Sequence, residues 1–265
     1  MIGAIIGDII GSRFERQNIK TKDFELFHPR CRSTDDSVMS LAVAKSLLKC
    51  DNDYTNFNNI AINTMQNIGR IYPNCGFGLG FYRLLVSENP QPYGSFGNGA
   101  AMRVSPCAYA TKSLEDALSL AQKVTIISHN HIEGIKGAKS VTAAVFLALQ
   151  KDSMENIKKH IMQNYYNIDF TLDEIRQSYN FNMSCQNSVP QAMQAFFESN
   201  SFEDAIRNAI SIGGDSDTIG AITGSIATAY YGVPKDIRET ALNYLDDRLK
   251  EILAEFERRF INCNK

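Results

Sequence analysis

Two short stretches of this chain crowd carboxylates and hydroxyls beyond what a helix cap requires. Ser33-Thr34-Asp35-Asp36 opens one helical pattern, and Gly213-Gly214-Asp215-Ser216-Asp217-Thr218 opens another that is built almost wholly of small and apolar residues. Capping is one reading of each: Ser, Thr and Asp side chains accept hydrogen bonds from the free N–H groups of a first turn, and their charge complements the helix dipole. One cap needs one side chain, whereas each stretch supplies two carboxylates and a hydroxyl with no basic residue among them. Oxygen donors without His or thiolate suit Mg²⁺, Mn²⁺ or Ca²⁺ rather than zinc or copper. Joined by the fold, Asp35, Asp36, Asp215 and Asp217 would carry four negative charges, which two divalent ions would balance. Ions about 3.5–4 Å apart are suited to activating water and gripping substrate oxygens.

Other chemistries fail on spacing. Asp215-x-Asp217 lacks the later acceptors and terminal Glu of a calcium-sensor loop. Gly76-Phe-Gly-Leu-Gly lacks the dinucleotide spacing, and neither GxxxxGK[ST] nor GxSxG occurs. Cys31, three residues after His28, is too local a pairing to propose a nucleophile. The six cysteines form no CxxC pair and no zinc-spaced cluster with His, which fits a reducing cytoplasm. Twenty-seven basic against 29 acidic residues leave a net charge of −2, no field for nonspecific binding to nucleic acid or membranes. The apolar N-terminus lacks a basic lead and carries Asp8, so it does not read as a signal peptide. No apolar run reaches the roughly 18 residues of a membrane span.

The elements that must position these residues read as helices. Val38, Leu41, Ala42 and Leu48 form one stripe of a 3.6-residue repeat within 36–49, and similar patterns run over 114–127, 132–150, 203–212, 217–231 and 244–260. Ten or more helices, no substantial sheet and one all-α domain over 1–265 follow. The stretch 152–179, more polar and aromatic than its flanks, leaves a peripheral subdomain as an alternative. Joints are expected at Pro73-Asn-Cys-Gly76, Glu88-Asn-Pro-Gln-Pro92, Asn187-Ser-Val-Pro190 and Gly232-Val-Pro234. Asp246 and Asp247, on the charged face of the 244–260 pattern, read as merely solvated carboxylates.

Five motifs in order, Gly7-Asp8-Ile-Ile-Gly11-Ser-Arg-Phe-Glu15, Ser33-Thr-Asp-Asp-Ser37, Ser95-Phe-Gly-Asn-Gly-Ala-Ala-Met-Arg103, Ser128-His-Asn-His131 and Gly214-Asp-Ser-Asp-Thr218, resemble those of ADP-ribosylglycohydrolases. The resemblance covers roughly 1–232 and is to the dinitrogenase-reductase-activating glycohydrolase type. It implies a compact orthogonal multi-helix bundle with two Mg²⁺ or Mn²⁺ ions in a cleft. It also implies Thr34, Asp35, Asp36, Asp215, Asp217 and Thr218 as metal ligands, with Glu15, Asp36 and Asp217 acting in catalysis. On the substrate side it implies Ser95, Gly97, Asn98 and Gly99 as a loop that approaches ADP-ribose, Phe96 as an adenine-stacking aromatic, and His129 beside the phosphates or ribose. Read from the residues alone, Glu15 is a solvated acid in a polar run, Phe96 a core side chain and His129 a hydrogen-bonded structural histidine. Ser37 stands where Thr is frequent and Ala100 where Ser or Gly is, without removing an implied ligand.

The implied reaction is hydrolysis at the anomeric ribose carbon of an ADP-ribosyl conjugate, protein side chain or small molecule, releasing ADP-ribose. A non-catalytic ADP-ribose binder or structural member of the family, and a two-metal nucleotide phosphohydrolase, remain the alternatives. The sequence names neither the attached group nor the oligomeric state.

Overall fold

In the structure, a computed structural model, residues 1–262 are described. Cys263 and the end of the expected 1–265 domain lie outside them. The described residues form fifteen helices: α1 (Ile2–Gly11), α2 (Asp35–Cys50), α3 (Phe57–Gly69), α4 (Leu79–Val86), α5 (Gly99–Met102), α6 (Ser105–Tyr109), α7 (Leu114–Ile126), α8 (Ile132–Leu149), α9 (Met154–Asn164), α10 (Leu172–Arg176), α11 (Cys185–Phe197), α12 (Phe202–Ser211), α13 (Ser216–Tyr231), α14 (Lys235–Leu242) and α15 (Asp247–Phe260). No strand is present among them; one isolated antiparallel bridge joins Gly97 to Ser184. No described helix is long and apolar enough to cross a membrane.

The centre is the antiparallel pair α1 and α13. Every residue of α1 is buried, as a helix apolar on all sides requires. Gly3, Gly7 and Gly11 fall one turn apart along α1 and face Gly224, Gly220 and Ser216 of α13. The two backbones touch: a Cβ added at Gly7 would lie 1.9 Å from the Gly220 carbonyl oxygen, and one added at Gly3 would lie 2.1 Å from that of Gly224. This close crossing carries Asp8 to the first turn of α13, where Asp217 sits. Around it, α2 packs against α1, α3, α6 and α15, while α8, α11 and α12 pack against α13.

The expected helices appear with two corrections. The 244–260 pattern becomes helical only from Asp247, because Asp246 caps α15 by accepting a hydrogen bond from Leu249 N at 2.9 Å. It also accepts from the Tyr72 hydroxyl at 2.7 Å, so Asp246 is exposed but not merely solvated. Asn187-Ser-Val-Pro190 is no joint: it lies inside α11. Pro190 sits early enough that the carbonyl it leaves unpaired belongs to exposed Gln186, and burial of Ala192, Met193 and Phe196 sustains the turns beyond it. The 152–179 stretch supplies α9 and α10, which dock on α8 and α11, with Ile157, Ile161, Tyr166, Ile168 and Leu172 joining the buried apolar cluster.

Candidate metal centre and substrate cleft

The early and late acidic stretches meet at one place. Thr34 caps α2, which puts Asp35 and Asp36 in its first turn, and Asp215 precedes α13 with Asp217 in the first turn there. The two helix starts touch where Thr218 Oγ1 donates to Asp36 Oδ2 at 3.3 Å. Left-handed backbone at Gly213 and Gly214 (φ 69° and 80°) makes the turn into α13. That turn is clamped from the N-terminal loop: Asn18 exchanges two hydrogen bonds with Gly214, at 2.8 and 2.9 Å, and Lys20 Nζ donates to the carbonyls of Ile212 and Tyr179, both at 2.6 Å.

Asp8, quoted in a motif but given no role from sequence, is the hinge of this arrangement. Fully buried, it accepts from Thr34 N at 2.9 Å, Thr34 Oγ1 at 2.6 Å, Ser37 N at 3.1 Å and the Ser37 hydroxyl. Both of its oxygens are thereby committed to positioning the start of α2. Asp36 differs: its Oδ1 is buried with no hydrogen-bond partner. An orphaned carboxylate oxygen in an apolar surround is costly unless a cation or proton meets it.

Two groups of acids place one oxygen each within 4.8 Å of one another: Asp8, Asp36 and Asp217, and Glu15, Asp215 and Asp217. Asp217 belongs to both. Burial, then the neighbouring Asp8, Asp35 and Asp215, pushes the Asp36 carboxyl well above its usual range. Burial followed by Asp36, Asp215, Asp8 and Glu15 does the same to Asp217. Burial raises Asp8 and Asp215 against the pull of their hydrogen bonds, and raises Asp35 to about 7 with help from Asp8, Asp215 and Glu15. No ion pair among the described residues neutralises these acids. Hard oxygen donors, a shared aspartate and an orphaned buried oxygen fit two Mg²⁺ or Mn²⁺ ions.

Above the acids opens a cleft lined by Glu15, Asp35, Asp36, Asp215, Asp217 and Thr218 on one side and by Tyr93, Ser95, Gly97, Asn98, Gly99, Arg103 and His129 on the other. The 95–98 strap is tied down by Asn98 N to Met183 O at 2.7 Å and Cys185 N to Phe96 O at 2.9 Å. Asn98 Nδ2 crosses to Asp215 Oδ2 at 2.7 Å and so joins the strap to the acids. Asp35 faces Gly76, whose φ of 129° and lack of a side chain let it lie against the carboxylate; a Cβ there would be 2.7 Å from Oδ1.

His129 is wired from behind. Arg103, donor only, gives Nη2–H to Ser128 Oγ at 2.7 Å and lies 3.4 Å from His129 Nδ1, which can only accept from it; the Ser128 hydroxyl, 2.7 Å from Nδ1, then donates to it as well. Nδ1 is therefore the acceptor and Nε2 carries the proton. Burial, then the nearby guanidinium, holds the imidazole pKa well below its usual value and keeps it neutral. Nε2 faces the strap: a Cβ at Gly99 or Gly97 would come within 3.4 or 3.6 Å of it. Arg103 lies over the Phe81 ring at 4.9 Å, is buried with Nε unpartnered, and desolvation lowers its pKa to about 10.

Two expected site residues lie elsewhere than anticipated. Thr34 does not line the cleft; its hydroxyl serves Asp8 and the α2 cap. Phe96, 47% exposed, rests on the His131 ring at 5.3 Å, outside the cleft lining, because the bridge between Gly97 and Ser184 fixes the strap there. The aromatic side chains that do line the cleft are Phe81, Tyr93 and Phe181. His131 itself caps α8.

An all-α scaffold with carboxylates at the floor of its cleft and a glycine strap on its wall defines the class of this protein as a helical enzyme. The chain belongs to the ADP-ribosylglycohydrolase family, whose profile matches residues 1–264. It is 24% identical to the ADP-ribosylhydrolase ARH3 of Homo sapiens over 96% of this chain and 90% of that protein. It is 28% identical to the ADP-ribosyl-dinitrogen reductase glycohydrolase of Rhodospirillum rubrum over 82% of this chain and 74% of that protein. A solved chain of an ADP-ribosylglycohydrolase-related protein complex shares its fold, with a TM-score of 0.71 at 22% identity over 97% of this chain and 95% of that one.

Proposed function

We propose that this enzyme hydrolyses the bond between the anomeric ribose carbon of an ADP-ribosyl conjugate and the attached group, releasing ADP-ribose, and that it needs two divalent cations, Mg²⁺ or Mn²⁺. The observation that carries the reading is the meeting of Asp36, with its orphaned Oδ1, and Asp217 beneath the strap and His129. Asp35, Asp36, Asp215, Asp217 and Thr218 are positioned to hold the cations, with Thr34 and Asp8 fixing the first helix start. Bound there, such ions would supply Lewis acidity, orienting ribose hydroxyls and easing deprotonation of water.

The chain's own groups supply the rest. Glu15, at the junction of floor and opening, takes the proton from the attacking water as its oxygen bonds to the anomeric carbon, and that proton passes to the departing group as the old bond breaks. The carboxylates of Asp36 and Asp217 stabilise positive charge developing at the anomeric carbon, as paired acids do in other glycoside hydrolysis. His129 donates Nε2–H to a phosphate or ribose oxygen, and the glycines at 97 and 99 let that oxygen approach closely. Ser95 and Asn98 brace the strap, while Tyr93 and Phe181 offer flat faces for adenine in place of Phe96. The reading places the enzyme in the cytoplasm, supported by the free thiols of Cys31, Cys50, Cys75, Cys107 and Cys185.

The test is a panel of ADP-ribose conjugates incubated with metal-loaded protein and resolved by mass spectrometry. Intact ADP-ribose supports the proposal. AMP or free phosphate would identify a phosphohydrolase, and saturable binding without product a non-catalytic binder.

A further inference from the structure

Beside the acidic cleft, and meeting it at Glu15, is a concavity lined by Arg13, Arg16, Arg30 and Arg32 with Ser12 and Gln17. No guanidinium of the four takes part in an ion pair among the described residues. Arg13 donates to the Glu25 carbonyl, lies over the Phe14 ring at 4.3 Å and keeps a buried Nε without an acceptor. Arg30 reaches only Gln17 Oε1, at 3.5 Å. Arg16 and Arg32 are exposed. Four guanidinium charges around one space outnumber its single lining carboxylate, Glu15, and repel one another unless a further anion joins them. Guanidinium forks match carboxylate oxygens in pairs.

We infer that this concavity is the acceptor subsite, and that it takes the acidic side chains flanking the ADP-ribosylated residue of a protein substrate. The inference rests on the proposed reaction: ADP-ribose lies along the Ser95–His129 wall, so the attached group faces the side where Glu15 joins cleft and concavity. No residue of the Ser95–His129 wall lines the concavity, so it does not belong to the ADP-ribose side. Its ≈ 220 Å³ admits one or two carboxylate side chains. A nucleic-acid strand calls in addition for stacking aromatics, and none lines this space.

The experiment uses two fluorescein-labelled peptides ADP-ribosylated on one serine, flanked either by Glu and Asp or by Gln and Asn. Binding is read by anisotropy at 4 °C and turnover by mass spectrometry, for the metal-loaded wild type and for R16Q/R32Q. The acidic peptide is expected to bind the wild type on the order of tenfold tighter at low salt, an advantage that shrinks as salt rises. R16Q/R32Q should bring the ratio near one. Equal binding of both peptides to the wild type, an advantage that survives in R16Q/R32Q, or an oligonucleotide that displaces the acidic peptide better than an equally charged peptide does would overturn the inference. Turnover without flank preference removes this inference alone; flank preference with no ADP-ribose released from this peptide or from any conjugate of the panel removes the proposed reaction and leaves the acidic-segment subsite.

Discussion

At Asp36, burial and charge pull in opposite directions: the site is apolar enough to penalise a carboxylate, yet one oxygen is left with nothing to meet it. That opposition is what the proposed role of Asp36 as a cation ligand would relieve, and it makes the first prediction. Asp36→Asn and Asp217→Asn, nearly isosteric, should each lower kcat/KM by at least about a hundredfold, roughly 2.7 kcal/mol of transition-state stabilisation. Their circular dichroism should stay native, and exposed Asp247→Asn should be silent in the same assay. Equal losses in all three would make the acids structural. Behind His129, Ser128→Ala removes the nearer donor to Nδ1 and leaves only the Arg103 guanidinium, 3.4 Å away, to hold the tautomer. KM should rise several-fold with kcat less affected, and the ¹⁵N shifts of the ring should report a tautomer mixture; unchanged shifts would refute the wiring. The acids at 35, 36, 215 and 217 were legible because residue type alone betrays oxygen chemistry. Asp8 and Arg103 were not, since their partners, Thr34 and Ser37 for one and Ser128 for the other, are brought to them only by the fold. Phe96 lies outside the cleft lining, and no local pattern announces the bridge between its neighbour Gly97 and Ser184.

Among elements, the α1–α13 contact decides whether Asp8 can reach α2. Gly7→Ala forces a methyl into the Gly220 carbonyl, where only backbone movement can relieve it. A stability loss of about 2–3 kcal/mol or more is expected, read as a Tm lowered by roughly 5–10 °C, with activity falling alongside. Asp246→Ala should cost about 1 kcal/mol through the lost α15 cap and leave kcat/KM unchanged. A Gly7→Ala protein as stable as wild type would mean that the helices are free to separate. The helices at 36–49, 114–127, 132–150, 203–212 and 217–231 were readable within a residue or two, because a 3.6-residue stripe reports the buried face directly. The glycine ladder escaped notice in an N-terminus that reads simply as apolar, and Pro190 masked α11 because a proline near a helix start punctuates the sequence without ending the helix.

For the whole molecule, one buried apolar cluster runs from Met1 to Phe260, and we propose that the chain unfolds as a single unit. The acids impose a pH dependence on it. A carboxyl whose native pKa exceeds its unfolded value holds more protons when folded over the interval between the two, so stability falls as pH rises through that interval. For Asp35 the interval runs from 3.8 to about 7, and Asp8, Asp36, Asp215 and Asp217 shift in the same direction. His129, depressed by burial below its unfolded pKa near 6.5, and the buried Met1 amine, lowered from 8.0 to about 5, act the opposite way, but they are two groups against five. Metal-free protein should therefore lose Tm between pH 5 and pH 8. Added Mg²⁺ or Mn²⁺ should restore it, more at pH 8 than at pH 5, because the cation binds the charged form. A calorimetric Tm flat across this range and indifferent to metal would contradict the electrostatics assigned to the floor.

The most direct measurement is the time course of product from an ADP-ribosyl peptide, followed by mass spectrometry with metal present, after EDTA, and after metal is returned. Intact ADP-ribose should accumulate, stop on chelation and resume with Mg²⁺ or Mn²⁺. Release that continues through thorough chelation, or AMP in place of ADP-ribose, would contradict the account.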